Sequence, residues 1–384
     1  MRIGVDFTPA VSEQAGIGRL TRELFRAVLE IDDRNEYVFV APKSAKPPDW
    51  ITEHPRARWA TLPVSAHTAT VLWHRLGLPI SIERFTGPID IFHGTDYLLP
   101  PLNAARGIVT VHDLSYRVHP EFAEPSLVRY LDKQVPDSLH RAALVLADSE
   151  STRQDIIEHY HIDPERITVV YGGVRDVFRP IEDPVELTRV RACYALPDEF
   201  LLTVSRLEPR KNLPTLFRSY RQLLNEHEAV PPLLVGGGKG WQYESIFSTV
   251  EELGLTKCVR FLGFVADEDL PGLLTQASIF LYPSFYEGFG LPPLEAMACR
   301  TPVIAANTSS LPEVLGDAAL QVSPTDVDGL ARAITLLLHD DSLRQTLSER
   351  GLAQAKRFTW QAAARELLHA YESVAATPAG AKSR

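Results

Sequence analysis

The sequence predicts an α/β protein of two domains, each built around a largely parallel sheet. The chain has 384 residues, 45% of them hydrophobic, and this length exceeds what a single core usually supports. Short apolar runs of strand length alternate with amphipathic stretches, a pattern typical of βα units. Residues 178–184 contain two prolines and no strand pattern, which indicates a linker between two sets of strands.

The apolar runs predict seven strands before this linker and six after it. The first set is 3–7, 37–41, 58–62, 89–93, 107–111, 143–147 and 167–171. The second set is 201–205, 232–236, 259–263, 279–283, 302–306 and 319–323. A final helix over 358–376 carries one apolar stripe and is expected to pack back on the first domain. The predicted domains are therefore residues 1–177 and 178–357, followed by that helix and a frayed tail over 377–384.

Composition excludes several classes of function. A formal net charge of -10 disfavours a general nucleic-acid binder, which needs excess Lys and Arg. The three cysteines lie in no spacing typical of a zinc site or redox pair, so a reduced, cytoplasmic location is expected. The N-terminus lacks a signal-peptide core, and no run reaches the ~18 apolar residues of a membrane span. Any contact with a membrane is expected to be peripheral, at the inner face of the cell membrane.

Two Asp-x-Asp patterns raise the question of a bound metal ion. Asp267 and Asp269 form one, and Asp326 and Asp328 form the other. Each pair precedes a helical pattern, where Asp is a common N-cap. The interpretation is capping, so no metal site is predicted.

The stretch from Glu287 to Glu295 follows the predicted strand 279–283 and opens a helix. Gly288 and Gly290 would let the backbone approach a ligand, and the prolines after Leu291 suit a first helical turn. The pattern places Glu295 in that first turn, where the helix end attracts anions. Both carboxylates could accept hydroxyl groups from an elongated polar ligand. Taken alone, Glu287 also fits a solvated loop residue, and Glu295 also fits a first-turn charge stabilised by the helix dipole.

A second loop follows the strand 201–205. Arg206 and Lys211 lie between this strand and the next helix, so both could turn toward one anion. A guanidinium fork and a point charge together suit a diphosphate. The loop alone also fits an ordinary solvated surface, and its position in the same sheet as Glu287 favours the ligand site.

These two loops resemble the signature of glycosyltransferase family 4, the retaining enzymes of GT-B architecture. Glu287 and Glu295 match the family's E-x7-E motif, and Arg206 with Lys211 match its basic pair. The motifs at residues 1–7, 111–113, 147–149 and 171–174 occur in the expected order, so the resemblance covers nearly the whole chain. The bacterial mannosyltransferases of polysaccharide assembly are the most similar branch. The resemblance implies two Rossmann-like domains with a cleft between them, the first on the acceptor side and the second binding the donor.

The resemblance also implies the site. Arg206 and Lys211 would bind the donor diphosphate in place of a metal ion. Glu287 would contact the transferred sugar and Glu295 the ribose. His112, after the strand 107–111, would lie against the donor sugar, although a lone His is also typical of a loop or cap. The implied catalytic residues are Glu287, His112, Arg206 and Lys211. The implied donor-binding residues are Gly16, Gly18, Arg206, Lys211, Gly288, Phe289, Gly290, Leu291 and Glu295.

The function predicted on this basis is retaining transfer of a hexose, with mannose favoured, from a nucleotide-diphosphate sugar to a glycan or lipid-linked acceptor. GDP-mannose leads among the donors, with UDP-hexoses close behind, and neither a cofactor nor a metal ion is expected. Two alternatives stay open, a sugar-nucleotide epimerase on the same architecture and a non-catalytic nucleotide-sugar binder. The segment 71–79 is interpreted as a core helix, with a lipid-facing surface as the alternative.

Overall fold

The computed structural model of the protein describes residues 1–12 and 16–376, and the tail predicted over 377–384 lies outside them. The described residues form two compact units. The first comprises residues up to Val118, the segment Pro125–Gly173 and the chain from Thr359 onward. The second comprises His119–Glu124 and Val174–Phe358. The change of unit at Gly173 and Val174 lies a few residues before the boundary expected from the sequence, and sequence analysis did not anticipate that residues 119–124 belong to the second unit.

Each unit contains one parallel sheet, and every predicted strand is present within a few residues of its expected bounds. The first sheet has the order β3-β2-β1-β4-β5-β6-β7. Its strands are β1 Arg2–Asp6, β2 Glu36–Pro42, β3 Ala57–Leu62, β4 Ile91–Gly94, β5 Arg106–Val111, β6 Leu144–Ala147 and β7 Ile167–Val169. The second sheet has the order β10-β9-β8-β11-β12-β13. Its strands are β8 Leu201–Val204, β9 Leu233–Gly236, β10 Val259–Gly263, β11 Ile279–Tyr282, β12 Val303–Ala306 and β13 Leu320–Val322.

Helices fill the connections between these strands. Those of the first unit's main segments are α1 Thr8–Ser12, α2 Ile17–Ile31, α3 Asp49–Thr52, α4 Ala66–Thr70, α5 Glu83–Thr86, α6 Ser115–Val118, α7 Pro125–Arg141 and α8 Glu150–Tyr160. Those of the second unit are α9 Pro184–Cys193, α10 Leu213–Glu226, α11 Glu244–Glu252, α12 Leu270–Gln276, α13 Leu291–Ala298, α14 Leu311–Leu315, α15 Val327–His339 and α16 Asp341–Ala355. The last helix is α17 Trp360–Ala376. Short 3-10 turns cover Pro120–Phe122, Pro164–Arg166, Pro209–Lys211 and Gly316–Ala318.

Helix α17 lies in the first unit, against α2. Its stripe of Ala364, Leu367 and Tyr371 is fully buried, in one core cluster with Phe25 and Val28 of α2. Residues at i, i+3 and i+7 share one face of a helix, so the apolar period read from the sequence is the face that packs.

The second sheet is apolar on both faces, as expected for parallel strands covered by helices. Leu201 of β8 belongs to the core cluster on one face, and its neighbour Leu202 belongs to the cluster on the other. Because side chains alternate across a strand, the polar residues of this unit gather where the strands end. This edge carries the candidate site.

The segment predicted as a core helix over 71–79 has a different structure. Val71–Arg75 forms a π-helical turn whose side chains are partly or fully exposed, and residues 75–79 are all exposed. The core-helix interpretation is therefore wrong. Gly77, at φ 64°, ends the helical stretch, and Leu76 and Leu78 on either side of it are exposed and do not pack in a core.

Candidate functional site

The loops after β8 and β11 meet because these strands are neighbours. Leu201 pairs with Ile279 and Leu202 with Phe280 in parallel register, so both strands end at the same edge of the sheet. Asn212 ties the two loops together, and its side-chain amide donates to the carbonyl of Pro283 at 2.9 Å. At φ 55°, Asn212 also turns the chain from the first loop into α10.

Lys211 and Glu287, both predicted from the sequence, form a buried ion pair at this edge. Lys211 Nζ lies 2.6 Å from Glu287 Oε1, with side-chain exposures of 9% and 8%. Lys211 Nζ also donates to the hydroxyl of Tyr282 at 3.3 Å, and the hydroxyl of Ser284 donates to Glu287 Oε1 at 2.6 Å. The sequence predicted that both residues bind one ligand but not that they contact each other.

The charge state of this pair follows from its surroundings. Burial disfavours an ionised carboxyl, but Lys211 and Arg210 outweigh burial and lower the pKa of Glu287 to about 2. Burial, with a contribution from Arg210, lowers the pKa of Lys211, while Glu287 acts in the opposite direction. Glu287 is thus an anion at neutral pH and a ready acceptor for hydroxyl groups.

Arg210 is a site residue that sequence reasoning missed. One of its terminal nitrogens, Nη1, lies 3.4 Å from Glu287 Oε2 and donates to the carbonyl of Tyr286 at 2.8 Å. The other, Nη2, donates to Glu208 at 3.1 Å. The available signal was its place in the charged run from Glu208 to Lys211, but two adjacent basic residues do not show which side chain turns inward.

The loop after Glu287 has a left-handed backbone at Gly290, a conformation that favours glycine. Gly290 has φ 103°, and a Cβ there would lie 2.8 Å from the side chain of Leu311. Gly288 and Phe289 are buried, and Leu291 begins α13. The hydroxyl of Ser310 donates to the carbonyls of Glu287 and Phe289, both at 2.9 Å, so the loop is fixed before any ligand arrives.

Glu295 lies in the second turn of α13, and the expectation of a first-turn position is wrong. The left-handed Gly290 is the N-cap, so Leu291 is the first helical residue and no acidic residue lies in the first turn. Glu295 is 4% exposed and Glu287 is 7% exposed, so Glu287 is not the solvated loop residue that its position alone allowed. Its negative charge raises the pKa of the Cys299 thiol further, beyond the larger effect of burial.

Arg206 lies apart from the Lys211 and Glu287 pair. It is exposed, and the aliphatic part of its side chain passes close to Gly240. Within residues 1–12 and 16–376, its guanidinium takes part in no ion pair. An exposed guanidinium of this kind suits a ligand phosphate.

An aromatic segment from outside the predicted donor domain borders the site. In residues 119–124, which belong to the second unit, the Phe122 ring stacks on Phe285 at 5.1 Å between centroids. His119 stacks on Phe122 and meets the edge of the Tyr286 ring at 5.9 Å. Phe285 and Tyr286 directly precede Glu287, so this stack supports the loop that carries it.

His112 lies in the first unit, at the carboxyl end of β5 as predicted. Its Nδ1 lies 2.8 Å from Asp148 Oδ2, and its Nε2 lies 2.7 Å from the carbonyl of Thr95. Both partners are acceptors, so the ring is best satisfied as a doubly protonated imidazolium. Burial opposes this charge, but Asp148 outweighs burial and raises the pKa of His112 to about 9.

The ring of His112 is only 5% exposed and both of its nitrogens are engaged. A hydrogen bond from His112 to a sugar would require it to release Thr95 or Asp148. The neighbouring Asp113 caps α6, since its Oδ1 accepts from the backbone N–H of Ser115 at 2.8 Å.

The glycines predicted near the donor phosphates begin helix α2. Gly16 is its exposed N-cap, with φ 59°, and Gly18 is buried in its first turn. Their role in binding the donor stays a prediction.

The two Asp-x-Asp patterns differ. Asp326 caps α15 as predicted, accepting from the backbone N–H of Gly329 at 2.8 Å. Asp269 precedes α12 but makes no capping hydrogen bond, so that interpretation is wrong. Its carboxylate instead accepts from Tyr194 and pairs with Arg189, because those side chains reach it from α9 and the residue that follows. No cluster of metal-binding side chains occurs in the part of the chain that the structure describes.

Comparison with known proteins extends these observations. A model of "Glycosyltransferase Family 4" matches residues 15–177, and a model of "Glycosyl transferases group 1" matches residues 194–354. O-antigen chain mannosyltransferase B of Escherichia coli is 39% identical over 283 residues, which are 73% of this chain and 74% of that protein. Serotype-specific mannosyltransferase WbdA of Escherichia coli is 34% identical over 266 residues, which are 68% of this chain but 31% of that protein.

Among solved structures, the sucrose-phosphate synthase of Thermosynechococcus elongatus has the same fold. Its TM-score is 0.76 at 22% sequence identity, covering 97% of this chain and 99% of that one. The family models and the relatives identify a glycosyltransferase, and its fold is the GT-B architecture with two Rossmann-like domains. The chain belongs to glycosyltransferase family 4, which confirms the resemblance read from its motifs. In the described residues, no helix combines the length and apolar character needed to cross a membrane.

Proposed function

We propose that this glycosyltransferase transfers mannose, with retention of configuration, from GDP-mannose to a glycan or lipid-linked acceptor without a divalent cation. The observation that carries the proposal is the ion pair of Lys211 and Glu287, at 2.6 Å. A sugar nucleotide joins an anionic phosphate directly to a ring with several hydroxyls. A cation and a carboxylate in contact match that junction, with Lys211 at the phosphate and Glu287 at the sugar.

The reaction follows from these roles. The bond between the anomeric carbon and the phosphate oxygen breaks, and its electron pair stays on the departing diphosphate. The acceptor hydroxyl forms the new bond on the same face, and its proton passes to a phosphate oxygen. Lys211 and Arg206 would stabilise the charge that develops on the phosphate, the role that a metal ion fills in other transferases.

Mannose as the transferred sugar is supported by the relatives, two of which are named as mannosyltransferases. GDP is proposed as the nucleotide of the donor, and UDP-hexoses are the alternative donors. The acceptor is proposed from the same relatives, since one of them is named for an O-antigen chain.

The decisive experiment incubates the protein with GDP-mannose or UDP-hexoses and a mannose-terminated oligosaccharide, with magnesium or with EDTA. We expect a product with the donor's anomeric configuration by NMR, formed equally in both conditions and only from GDP-mannose. Glu287→Ala should abolish transfer while calorimetry still detects binding of GDP. An inverted product, or activity only with magnesium, would contradict the mechanism. Donor incubated alone tests the epimerase alternative, because an epimerase would isomerise it without acceptor.

We also propose peripheral contact with lipid through residues 75–79. Leu76 is 63% exposed and Leu78 is 37% exposed, next to the exposed Arg75. Apolar side chains beside a cation suit an anionic membrane surface. Flotation with vesicles containing phosphatidylglycerol should recover the protein, and Leu76→Ser with Leu78→Ser should reduce recovery without changing transfer to a soluble acceptor. Equal recovery of both proteins would contradict the contact.

A further inference from the structure

We propose that Arg210 is a positioning residue of the donor site, which keeps the Glu287 carboxylate ionised and oriented while Lys211 engages the donor phosphates. The inference rests on the proposed function and adds to it a residue outside the motif pair of Arg206 and Lys211. Four observations carry it, namely the division of contacts on the carboxylate, the anchoring of the guanidinium, the balance of charge and the donors left on Lys211.

The two oxygens of Glu287 have different partners. Oε1 accepts from Lys211 and Ser284, both at 2.6 Å. Oε2 faces Arg210 at 3.4 Å, a distance at the outer limit of a hydrogen bond. Arg210 is therefore an electrostatic partner that does not compete with Lys211 for the same oxygen.

The guanidinium of Arg210 is held from two other sides. It donates to the carbonyl of Tyr286 at 2.8 Å and to Glu208 at 3.1 Å, and its side chain is 18% exposed. The contacts are reciprocal between the loops, because the carbonyl of Arg210 accepts from the backbone N–H of Phe285 at 2.9 Å. A planar fork fixed in this way keeps its position when a neighbouring charge changes partner.

The formal charges of the four side chains in this cluster sum to zero. Arg210 and Lys211 offset Glu208 and Glu287. A bound diphosphate adds negative charge beside a carboxylate that is already buried, and like charges favour protonation of one of them. Arg210 opposes this, so Glu287 can stay an anion and accept sugar hydroxyls in the donor complex.

Lys211 can serve the phosphate without leaving Glu287. An ammonium group has three N–H donors, and the contacts to Glu287 and Tyr282 use two of them. The third can meet a phosphate oxygen. Lys211 would then be shared between two anions, while Arg210 stays paired with the carboxylates of Glu208 and Glu287.

The test compares Arg210→Met and Arg210→Lys with the wild type. For Arg210→Met we expect kcat to fall by about 10- to 100-fold, while KM for the donor and the affinity for GDP change less than about 3-fold. Because removing a cation raises the pKa of Glu287 from about 2, and a bound diphosphate raises it further, the loss should grow as the pH falls from 8 toward 4. Arg210→Lys restores a cation and should recover most of the activity and its flat pH dependence.

Arg189→Met is the matched control. Arg189 also bridges two carboxylates in this unit, Glu186 and the buried Asp269, but contacts neither Glu287 nor Lys211. We expect it to lower the melting temperature without changing kcat or its pH dependence. A loss in Arg210→Met that is independent of pH and not recovered by Arg210→Lys would overturn the inference. Wild-type protein that transfers no hexose would instead overturn the proposed function, so the two failures are distinguishable.

Discussion

Each unit has a buried ion pair where the strands of its sheet end, and these two pairs differ in how completely the protein satisfies them. In the first unit, both nitrogens of His112 have protein acceptors, Asp148 and the carbonyl of Thr95. In the second unit, Lys211 has partners for two of its three donors, and the carboxylate of Glu287 faces cations on both oxygens. We call the first pair closed, because protein atoms occupy both ring nitrogens, and the second pair open, because Lys211 keeps one N–H donor. This remaining hydrogen-bonding capacity is why the proposed donor site is placed at the open pair.

The largest expected effect is on kcat/KM, when a substitution removes the charge of Glu287 from the open pair. Glu287→Gln keeps the shape of the side chain but removes its charge, so it should lower kcat/KM by about 10²- to 10³-fold. Affinity for GDP should stay within a few-fold of the wild type, because Glu287 is proposed to contact the transferred sugar and not the nucleotide. Steady-state kinetics and calorimetry measure both quantities, and wild-type turnover in Glu287→Gln would refute the assignment.

The cation of the open pair should matter for stability as well as for binding. Lys211→Met leaves Glu287 buried with Arg210 as its cation, and breaking a buried pair costs about 3 kcal/mol of unfolding free energy. The double variant Lys211→Met with Glu287→Gln removes both charges and should lose less. Urea denaturation tests the order of the three proteins. An additive loss in the double variant would show that the two side chains do not interact.

The closed pair of His112 and Asp148 should make the unfolding free energy depend on pH. The pKa of His112 is raised from 6.5 to about 9, so its contribution is complete below pH 6.5 and is lost as the pH rises through 9. Wild-type unfolding free energy should therefore fall over this window by at most about 3 kcal/mol. In Asp148→Asn that slope should largely disappear, since the carboxylate that favours the imidazolium is gone. Denaturation at pH 6 and pH 9.5 measures it, and an unchanged slope would contradict the pairing.

The sequence predicted where the two residues of the open pair lie, but it did not predict their contact, for a physical reason. Strand ends and loop chemistry placed Lys211 and Glu287 at one edge of the sheet, because parallel neighbours end together. Their contact, and the role of Arg210, depend on where the loop turns. That turn is set by Asn212 at φ 55° and its hydrogen bonds to distant carbonyls, which no local pattern encodes.

The wrong predictions for Glu295 and Asp269 also come from features that no local pattern encodes. Helix α13 begins one residue after the left-handed Gly290, and this start moves Glu295 into the second turn. Asp269 has the position of a cap but accepts from Arg189 and Tyr194, which reach it from 80 and 75 residues away in sequence. Periodicity predicts which residues face a core, whereas long-range hydrogen bonds decide what a polar side chain does with its remaining capacity.

The smallest expected effect concerns a third buried side chain, His93, which carries no charge. Its ring nitrogens lie 2.8 Å from the hydroxyl of Tyr371 on α17 and 2.7 Å from that of Thr110. Burial, with a contribution from His112, lowers the pKa of His93 to about 3, so the ring stays neutral near neutral pH. Tyr371→Phe leaves one ring nitrogen unpaired and should cost about 1 kcal/mol of unfolding free energy.

Because His93 does not titrate between pH 6 and pH 9.5, the loss in Tyr371→Phe should be the same at both, unlike that in Asp148→Asn. Tyr220→Phe is the matched control, since its hydroxyl donates to the carbonyl of Pro231 at 3.0 Å and involves no histidine. Denaturation of both variants at the two pH values measures the difference. A loss in Tyr371→Phe that varies with pH would contradict the neutral state of His93 over this range.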